Sequence, residues 1–88
     1  MRTIHVGPAE VCDTLRREAM EQVATAADGL CLDFAAVARI DTQGAGALEE
    51  LAAAAEARSV RIVLQAVNSE IYKVLKRTSL AERFEFAS

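Results

Sequence analysis

The sequence predicts an α/β fold with a four-stranded, mainly parallel or mixed sheet and three helices, in the order β-α-β-α-β-α-β. Two observations support this prediction. Short aliphatic stretches alternate with longer stretches whose apolar residues recur at steps of three or four. Turn signals separate these stretches at Gly7-Pro8, Asp28-Gly29, Arg58-Ser59 and Asn68-Ser69. Such alternation favours parallel strands joined by right-handed helical crossovers.

The first strand is predicted over residues 3–6, with Ile4 and Val6 on one face. Gly7-Pro8 ends this strand, and Pro8 suits the first turn of a helix, where its missing N–H is not needed. The helix is predicted over residues 9–27, and Asp28-Gly29 closes it. Its apolar stripe consists of Val11, Leu15, Ala19, Val23 and Ala26.

The second strand is predicted over residues 30–32, and three apolar residues after it are expected to pack inward: Phe34, Val37 and Ile40. Asp41 or Thr42 caps the next helix, whose body is predicted over residues 45–57. Its buried stripe is expected to contain Leu48, Leu51, Ala52 and Ala55. The alanines let this helix approach the sheet closely.

The third strand is predicted over residues 60–67, where a nearly continuous aliphatic run is typical of a strand covered on both faces. Asn68 or Ser69 caps a third helix over residues 69–78, with Ile71, Val74 and Leu75 facing inward. Residues 81–86 are predicted to form a last short strand, because Phe84 and Phe86 alternate with charged residues.

Length and charge limit the class of protein. A chain of 88 residues predicts a single domain covering residues 1–88. The formal net charge of −3 argues against nucleic-acid binding, which needs a basic face. The N-terminus is too short and polar for a signal peptide, and no apolar run approaches the roughly 20 residues of a membrane span. We therefore expect a cytoplasmic protein without membrane insertion.

The candidate functional residues lie where the second strand unit leads into a helix. Functional groups of parallel sheets commonly lie at the carboxyl ends of strands, and Asp41 and Thr42 are expected at such an end. Thr42 would be exposed at the helix N-terminus among backbone N–H groups. Ordinary helix capping explains the same two residues, and capping is compatible with a binding role.

Other chemistry-bearing residues favour structural roles. Cys12 and Cys31 are expected to be reduced and buried, a disulfide or redox pair being the alternative. His5 is expected to be structural or exposed, and two cysteines with this one histidine are too few for a zinc site. The chain has no nucleophile–base–orienter set and no phosphate-cradling loop, so we expect no enzyme, cofactor or metal. A basic cluster on a solvated face, or alternatively an acidic-partner contact, comprises Lys73, Lys76, Arg77 and Arg83.

The chain resembles the STAS domain family, which includes bacterial anti-anti-sigma factors and the tails of sulfate transporters. Two groups of residues carry the resemblance. The first surrounds an acid–hydroxyl–x–glycine motif and consists of Leu32, Asp33, Val37, Ile40, Asp41, Thr42 and Gly44. The second lies near the C-terminus and consists of Val74, Leu75, Thr78, Ser79, Leu80 and Phe84.

The resemblance implies a non-enzymatic protein-interaction module of a signalling system that controls transcription. In that family a serine/threonine kinase phosphorylates the hydroxyl residue directly after the acid, which corresponds to Thr42. The unmodified domain would bind a kinase-type anti-sigma factor or another signalling protein, and phosphorylation would release it. The residues expected at the partner surface are Asp33, Asp41, Thr42, Gln43 and Gly44.

Three departures from the family pattern suggest an alternative to the control of transcription. One strand precedes the first helix where most members have an extra N-terminal strand, and Ala45 replaces a larger aliphatic residue. Threonine at position 42 is similar to the small STAS subunit of bacterial phospholipid-transport ABC complexes. That similarity implies a constitutive contact with a transporter ATPase, without a phosphorylation switch. A nucleotide-binding STAS domain is a further alternative.

Overall fold

The structure is a computed structural model that describes residues 2–25 and 29–87. Its strands are β1 (Arg2–His5), β2 (Gly29–Asp33), β3 (Arg61–Gln65) and β4 (Glu85–Ala87). Helix α1 consists of α-helical Val11–Thr14, π-helical Leu15–Ala19 and α-helical Met20–Thr25. Helices α2 (Thr42–Arg58) and α3 (Ser69–Arg77) follow, and a 3₁₀ turn (Leu80–Glu82) precedes β4. The predicted β-α-β-α-β-α-β order is confirmed.

The four described strands form one sheet in the order β1-β2-β3-β4, and all neighbouring pairs are parallel. Each helical connection between two strands therefore leads to the neighbouring strand, always toward the same edge of the sheet. Because a right-handed connection places its helix on a fixed side, three such steps put all three helices on one face of the sheet. One cross-strand row on that face contains Ile4, Leu32, Leu64 and Phe86.

The two faces of the sheet differ in burial as this topology requires. On the helix-covered face Leu30, Leu32 and Leu64 are fully buried. On the opposite face Arg61 and Gln65 are exposed and Val63 is half-buried. The expectation that the third strand is covered on both faces is therefore wrong. When every crossover moves to the next strand in the same direction, the helices cover one face of the sheet alone. The aliphatic run in residues 60–67 does not reveal the order of the strands, and so it could not show this.

The predicted helical stripes supply most of the core. All four predicted core residues of α2 are buried, namely Leu48, Leu51, Ala52 and Ala55. In α1 the buried residues are Leu15, Ala19 and Val23, while Val11 is half-buried. They form one cluster with the strand residues of the covered face.

Several predicted boundaries are wrong by a few residues. Helix α1 begins at Val11, because Pro8 lies in a turn that the Glu10 N–H closes by donating to the Gly7 carbonyl at 3.4 Å. Proline favours the second position of such a turn. The predicted end of this helix at residues 26–28 lies outside the described residues.

The other differences also lie at element ends. Helix α2 begins at Thr42, as the predicted cap at Asp41 requires, and it ends at Arg58, one residue beyond the predicted helix body. Strand β3 is shorter than residues 60–67, and α3 ends at Arg77. The last strand is Glu85–Ala87, so the buried Phe84 precedes it.

No helix in the described ranges has the length and apolar character needed to cross a bilayer. Cys12 and Cys31 are both free, as expected, but only Cys31 is buried and Cys12 is half-buried.

Candidate functional site

The candidate site lies at the carboxyl edge of the sheet, where residues 34–41 connect β2 to α2. Three apolar side chains predicted to pack inward hold this loop, since Phe34, Val37 and Ile40 are all buried. The loop begins with a turn in which the Asp33 carboxylate accepts the Ala35 N–H at 2.9 Å. The site therefore rests on a rigidly packed connection.

Asn68 holds the same loop from the next strand unit. Its side-chain amide donates to the carbonyls of Val37 at 3.3 Å and Ala38 at 2.9 Å. Its side-chain oxygen accepts the Ile71 N–H at 2.9 Å and so caps α3. Sequence reasoning identified Asn68 as one of two possible caps, but it missed the tie to the loop, for which the sequence carries no signal.

Asp41, and not Thr42, is the cap of α2. Its backbone is extended, and its carboxylate accepts the Gly44 N–H at 2.8 Å. Thr42 is the first helical residue; it is exposed, and no described residue hydrogen-bonds its hydroxyl. The arrangement leaves a free hydroxyl at the positive end of a 17-residue helix.

Gly44 lies in a closely packed position. A Cβ atom at this position would lie 3.0 Å from Cγ2 of Ile40 and 3.3 Å from the capping oxygen of Asp41. A side chain here would fit only if Ile40 and the Asp41 carboxylate shifted by a few tenths of an ångström. The spacing of acid, hydroxyl and glycine therefore has a physical basis: the carboxylate must reach the third helical N–H without meeting a Cβ.

Gly46 differs, because a Cβ atom there would meet nothing within 4 Å. Glycine inside a helix costs roughly 1 kcal/mol relative to alanine. Gly46 lies four residues after Thr42, and residues at that spacing are neighbours on a helix surface. The helix surface beside the Thr42 hydroxyl is thus bare backbone, which lets a second protein approach closely.

A groove runs beside this surface. It has a volume of about 460 Å³ and is lined by residues 8–13 together with Arg39, Asp41 and Gln43. Glu10, Asp13 and Asp41 make the groove mainly acidic, while Arg39 is exposed and forms no ion pair with a described residue. Sequence reasoning missed this groove, although the loops after adjacent parallel strands must lie side by side.

Of the five residues expected at the partner surface, the structure brings four together. Asp41, Thr42, Gln43 and Gly44 form the cap and first turn of α2. Asp33 is engaged elsewhere, since its second carboxylate oxygen lies 2.9 Å from Nδ1 of His5 on β1. His5, expected to be structural or exposed, has a side chain that is 81% exposed.

The predicted basic cluster is divided in two. Arg83 makes two hydrogen bonds to the Glu56 carboxylate, at 2.8 and 3.0 Å, and so links the segment before β4 to α2. These bonds lower the pKa of Glu56 and raise the pKa of Arg83. Lys73, Lys76 and Arg77 remain on the exposed surface of α3.

Nothing within residues 2–25 and 29–87 resembles a metal centre, since no three His, Cys, Asp or Glu side chains there are grouped to hold an ion. Cys31, the buried cysteine, donates to the side-chain oxygen of Gln65 at 3.3 Å.

Fold and site together define a small α/β domain that is wound in one direction and has an exposed acid–hydroxyl cap at its carboxyl edge. The family model for the STAS domain matches residues 9–88, so the chain belongs to the STAS domain family. The family resemblance found in the sequence is thereby confirmed.

A solved structure is similar over almost the whole chain. It is the crystal structure of a Thermotoga maritima protein proposed to be an anti-sigma factor antagonist, with a TM-score of 0.75 and 14% sequence identity. The match covers 99% of this chain and 73% of the Thermotoga chain. At this identity the likeness establishes the shared fold. A search of curated proteins gave no match.

Proposed function

We propose that this protein is the switching component of a cytoplasmic partner-switching system that controls transcription. In its unmodified form it binds a kinase-type anti-sigma factor through the first turn of α2. Phosphorylation of Thr42 by that kinase releases it. The domain itself catalyses no reaction and acts by binding its partner.

The observation that carries this proposal is the state of the Thr42 hydroxyl. It is exposed, it lacks a hydrogen-bond partner among the described residues, and it lies beside the bare backbone of Gly46. A kinase needs a hydroxyl that can enter its active site without local unfolding. Membership of the STAS family, and the fold shared with a proposed antagonist, support the same function.

Phosphate at Thr42 would act mainly on the partner. It adds about −1.5 to −2 charges at neutral pH. The N-terminus of α2 favours that charge, but the Asp41 carboxylate already occupies the Gly44 N–H and repels a second anion. We therefore expect the phosphate to project outward without unfolding α2, and to disrupt a partner surface that had matched a neutral hydroxyl.

The direct test is phosphotransfer from a kinase-type anti-sigma factor of the same genome with labelled ATP. Ser69 offers a matched control, because it is also an exposed hydroxyl residue directly after the cap of a helix. Wild type and Ser69→Ala should be labelled equally, whereas Thr42→Ala should not be labelled. Equal labelling of Thr42→Ala, or no labelling of the wild type by any such kinase, would contradict the proposal.

Binding measurements separate this function from a constitutive role in a transporter. A partner switch predicts that Thr42→Glu loses the kinase partner. If the chain instead co-purifies with a transporter ATPase, and Thr42→Glu leaves that complex intact, Thr42 is an interface residue without a charge switch. Saturable binding of labelled ATP or GTP to the isolated chain would indicate a nucleotide-binding domain.

A further inference from the structure

A second surface lies at the carboxyl edge of the sheet and is not part of the Thr42 site. Tyr72 on α3 and Phe86 on β4 are the large hydrophobic side chains that remain exposed among the described residues, at 42% and 39%. Their ring centroids are 5.5 Å apart at an interplanar angle of 73°, an edge-to-face contact. We call these two residues the aromatic pair.

The topology explains why Phe86 is exposed. It belongs to the same cross-strand row as Leu32 and Leu64, whose side chains are fully buried beneath the helices. Strand β4 is the edge strand of the described sheet. The last residue of this cross-strand row, Phe86, therefore lies at the margin of the core and is partly exposed. Beside the pair is a shallow pocket of about 400 Å³, lined by the Val67–Asn68–Ser69 segment and Ala87.

Among the described residues of α3, the charged side chains that lack an ion-pair partner are cations. Nζ of Lys76 lies 6.0 Å from the centre of the Tyr72 ring. Neither Lys76 nor Arg77 forms an ion pair with a described residue, and Lys73 pairs with Glu70 at a distance of 3.9 Å. The exposed surface of α3 thus has three cations and one carboxylate, in a chain of net charge −3.

We infer that the aromatic pair and the adjacent Lys76 bind an acidic protein segment that carries an apolar anchor side chain. The anchor would enter the pocket beside Tyr72 and Phe86, and a carboxylate would approach Lys76. Aromatic and arginine side chains are enriched at protein interfaces, and exposed apolar patches commonly mark them. The inference does not depend on phosphorylation of Thr42.

Three synthetic hexapeptides test the inference, titrated into the full chain and followed by backbone amide NMR. The first has a leucine–phenylalanine core flanked by two carboxylates on each side. The second replaces the carboxylates with lysines, and the third replaces the core with two glycines. The first should give saturable shifts centred on Tyr72, Lys76 and Phe86, and each control should bind about tenfold more weakly.

Matched variants of the protein locate the site. Tyr72→Ala and Lys76→Glu should each weaken binding of the first peptide about tenfold, because one removes the ring and the other the cation. Arg17→Glu makes the same charge change at an exposed position of α1 and should have no effect. Thr42→Glu should also have no effect, so a failure of the kinase proposal would not be confused with a failure of this one.

Several outcomes would overturn the inference. Equal binding of the acidic and basic peptides would do so, as would unchanged binding by Tyr72→Ala. Binding to phosphatidylserine vesicles in place of the peptide would identify a lipid surface. Sedimentation as a dimer that Tyr72→Ala dissociates would show that a second copy of the chain covers the patch.

Discussion

Two helices of this domain begin with nearly the same chemistry, yet the two starts differ in their surroundings. Helix α2 begins at Asp41-Thr42 and α3 begins at Asn68-Ser69, and each cap accepts the third helical N–H, at 2.8 and 2.9 Å. The Asn68 amide also ties down the loop through Val37 and Ala38. The Asp41 carboxylate has no described bond of that kind, and two glycines follow it. The Asn68 cap is uncharged and tied to the loop, whereas the Asp41 cap is charged and the backbone of Gly46 lies bare beside the Thr42 hydroxyl.

The largest expected effect is a loss of partner affinity when a negative charge is placed at the start of α2. The same charge at the start of α3 should have little effect. Thr42→Glu should weaken binding of the kinase-type partner about 100-fold, or ~2.7 kcal/mol, because a carboxylate imitates part of the phosphate charge. Thermal unfolding should change little, since an acid is favoured in the first turn of a helix. Calorimetric titration measures the affinity.

Ser69→Glu is the control for that measurement, with a loss at least about tenfold smaller expected. If both variants lose affinity equally, the difference between the two helix starts has no functional meaning.

The start of α2 should matter more for partner binding, whereas the cap of α3 should matter more for stability. Asn68→Ala loses a cap and two loop hydrogen bonds, so the free energy of unfolding should fall by about 2–3 kcal/mol. Asp41→Ala loses a cap alone and should cost about 1 kcal/mol. Urea denaturation measures both. A larger loss in Asp41→Ala would show that the loop does not depend on Asn68.

The two glycines of α2 should respond to alanine with opposite signs. Gly44→Ala should lower the free energy of unfolding by about 1–2 kcal/mol, because the new methyl group meets Ile40 at 3.0 Å. Gly46→Ala should raise it by up to about 1 kcal/mol, since the space is open.

The same Gly46→Ala variant should bind the partner more weakly, because the methyl group fills the bare surface beside Thr42. A stabilised variant with unchanged affinity would place the partner contact elsewhere.

The smallest effect concerns the Glu56–Arg83 ion pair, which lies far from both helix starts. Its hydrogen bonds lower the pKa of Glu56 below the usual 4.5, so its contribution is present above that pH and is lost as the pH falls through the lowered value. Glu56→Gln should therefore be slightly less stable than the wild type at pH 7. The gap should close in acid.

Glu18→Gln makes the same change at an exposed position of α1 that forms no ion pair with a described residue, and it is the control for this measurement. A gap between Glu56→Gln and the wild type that persisted in strong acid would assign the effect to packing.

Much of this architecture could be predicted because its signals are local. Helical spacing identified Leu48, Leu51 and Ala55 as core, and the acid–hydroxyl–glycine spacing identified the start of α2. The groove beside Asp41 and the tie from Asn68 to the loop could not be predicted. Both features depend on which strands are neighbours in the sheet. The spacing of apolar residues along the sequence does not contain that information. The exposure of Arg61 and Gln65 was missed for the same reason.

The strand order has a consequence for how the chain folds. Each strand pairs with the strand that precedes or follows it in sequence, so no pairing must wait for a distant segment. Folding rates rise as contacts become more local, because less loop-closure entropy is lost before native contacts form. Each β-α-β unit can add to the one before it, so we expect fast refolding for a parallel sheet. The edge strands β1 and β4 should be the first to exchange their amide hydrogens.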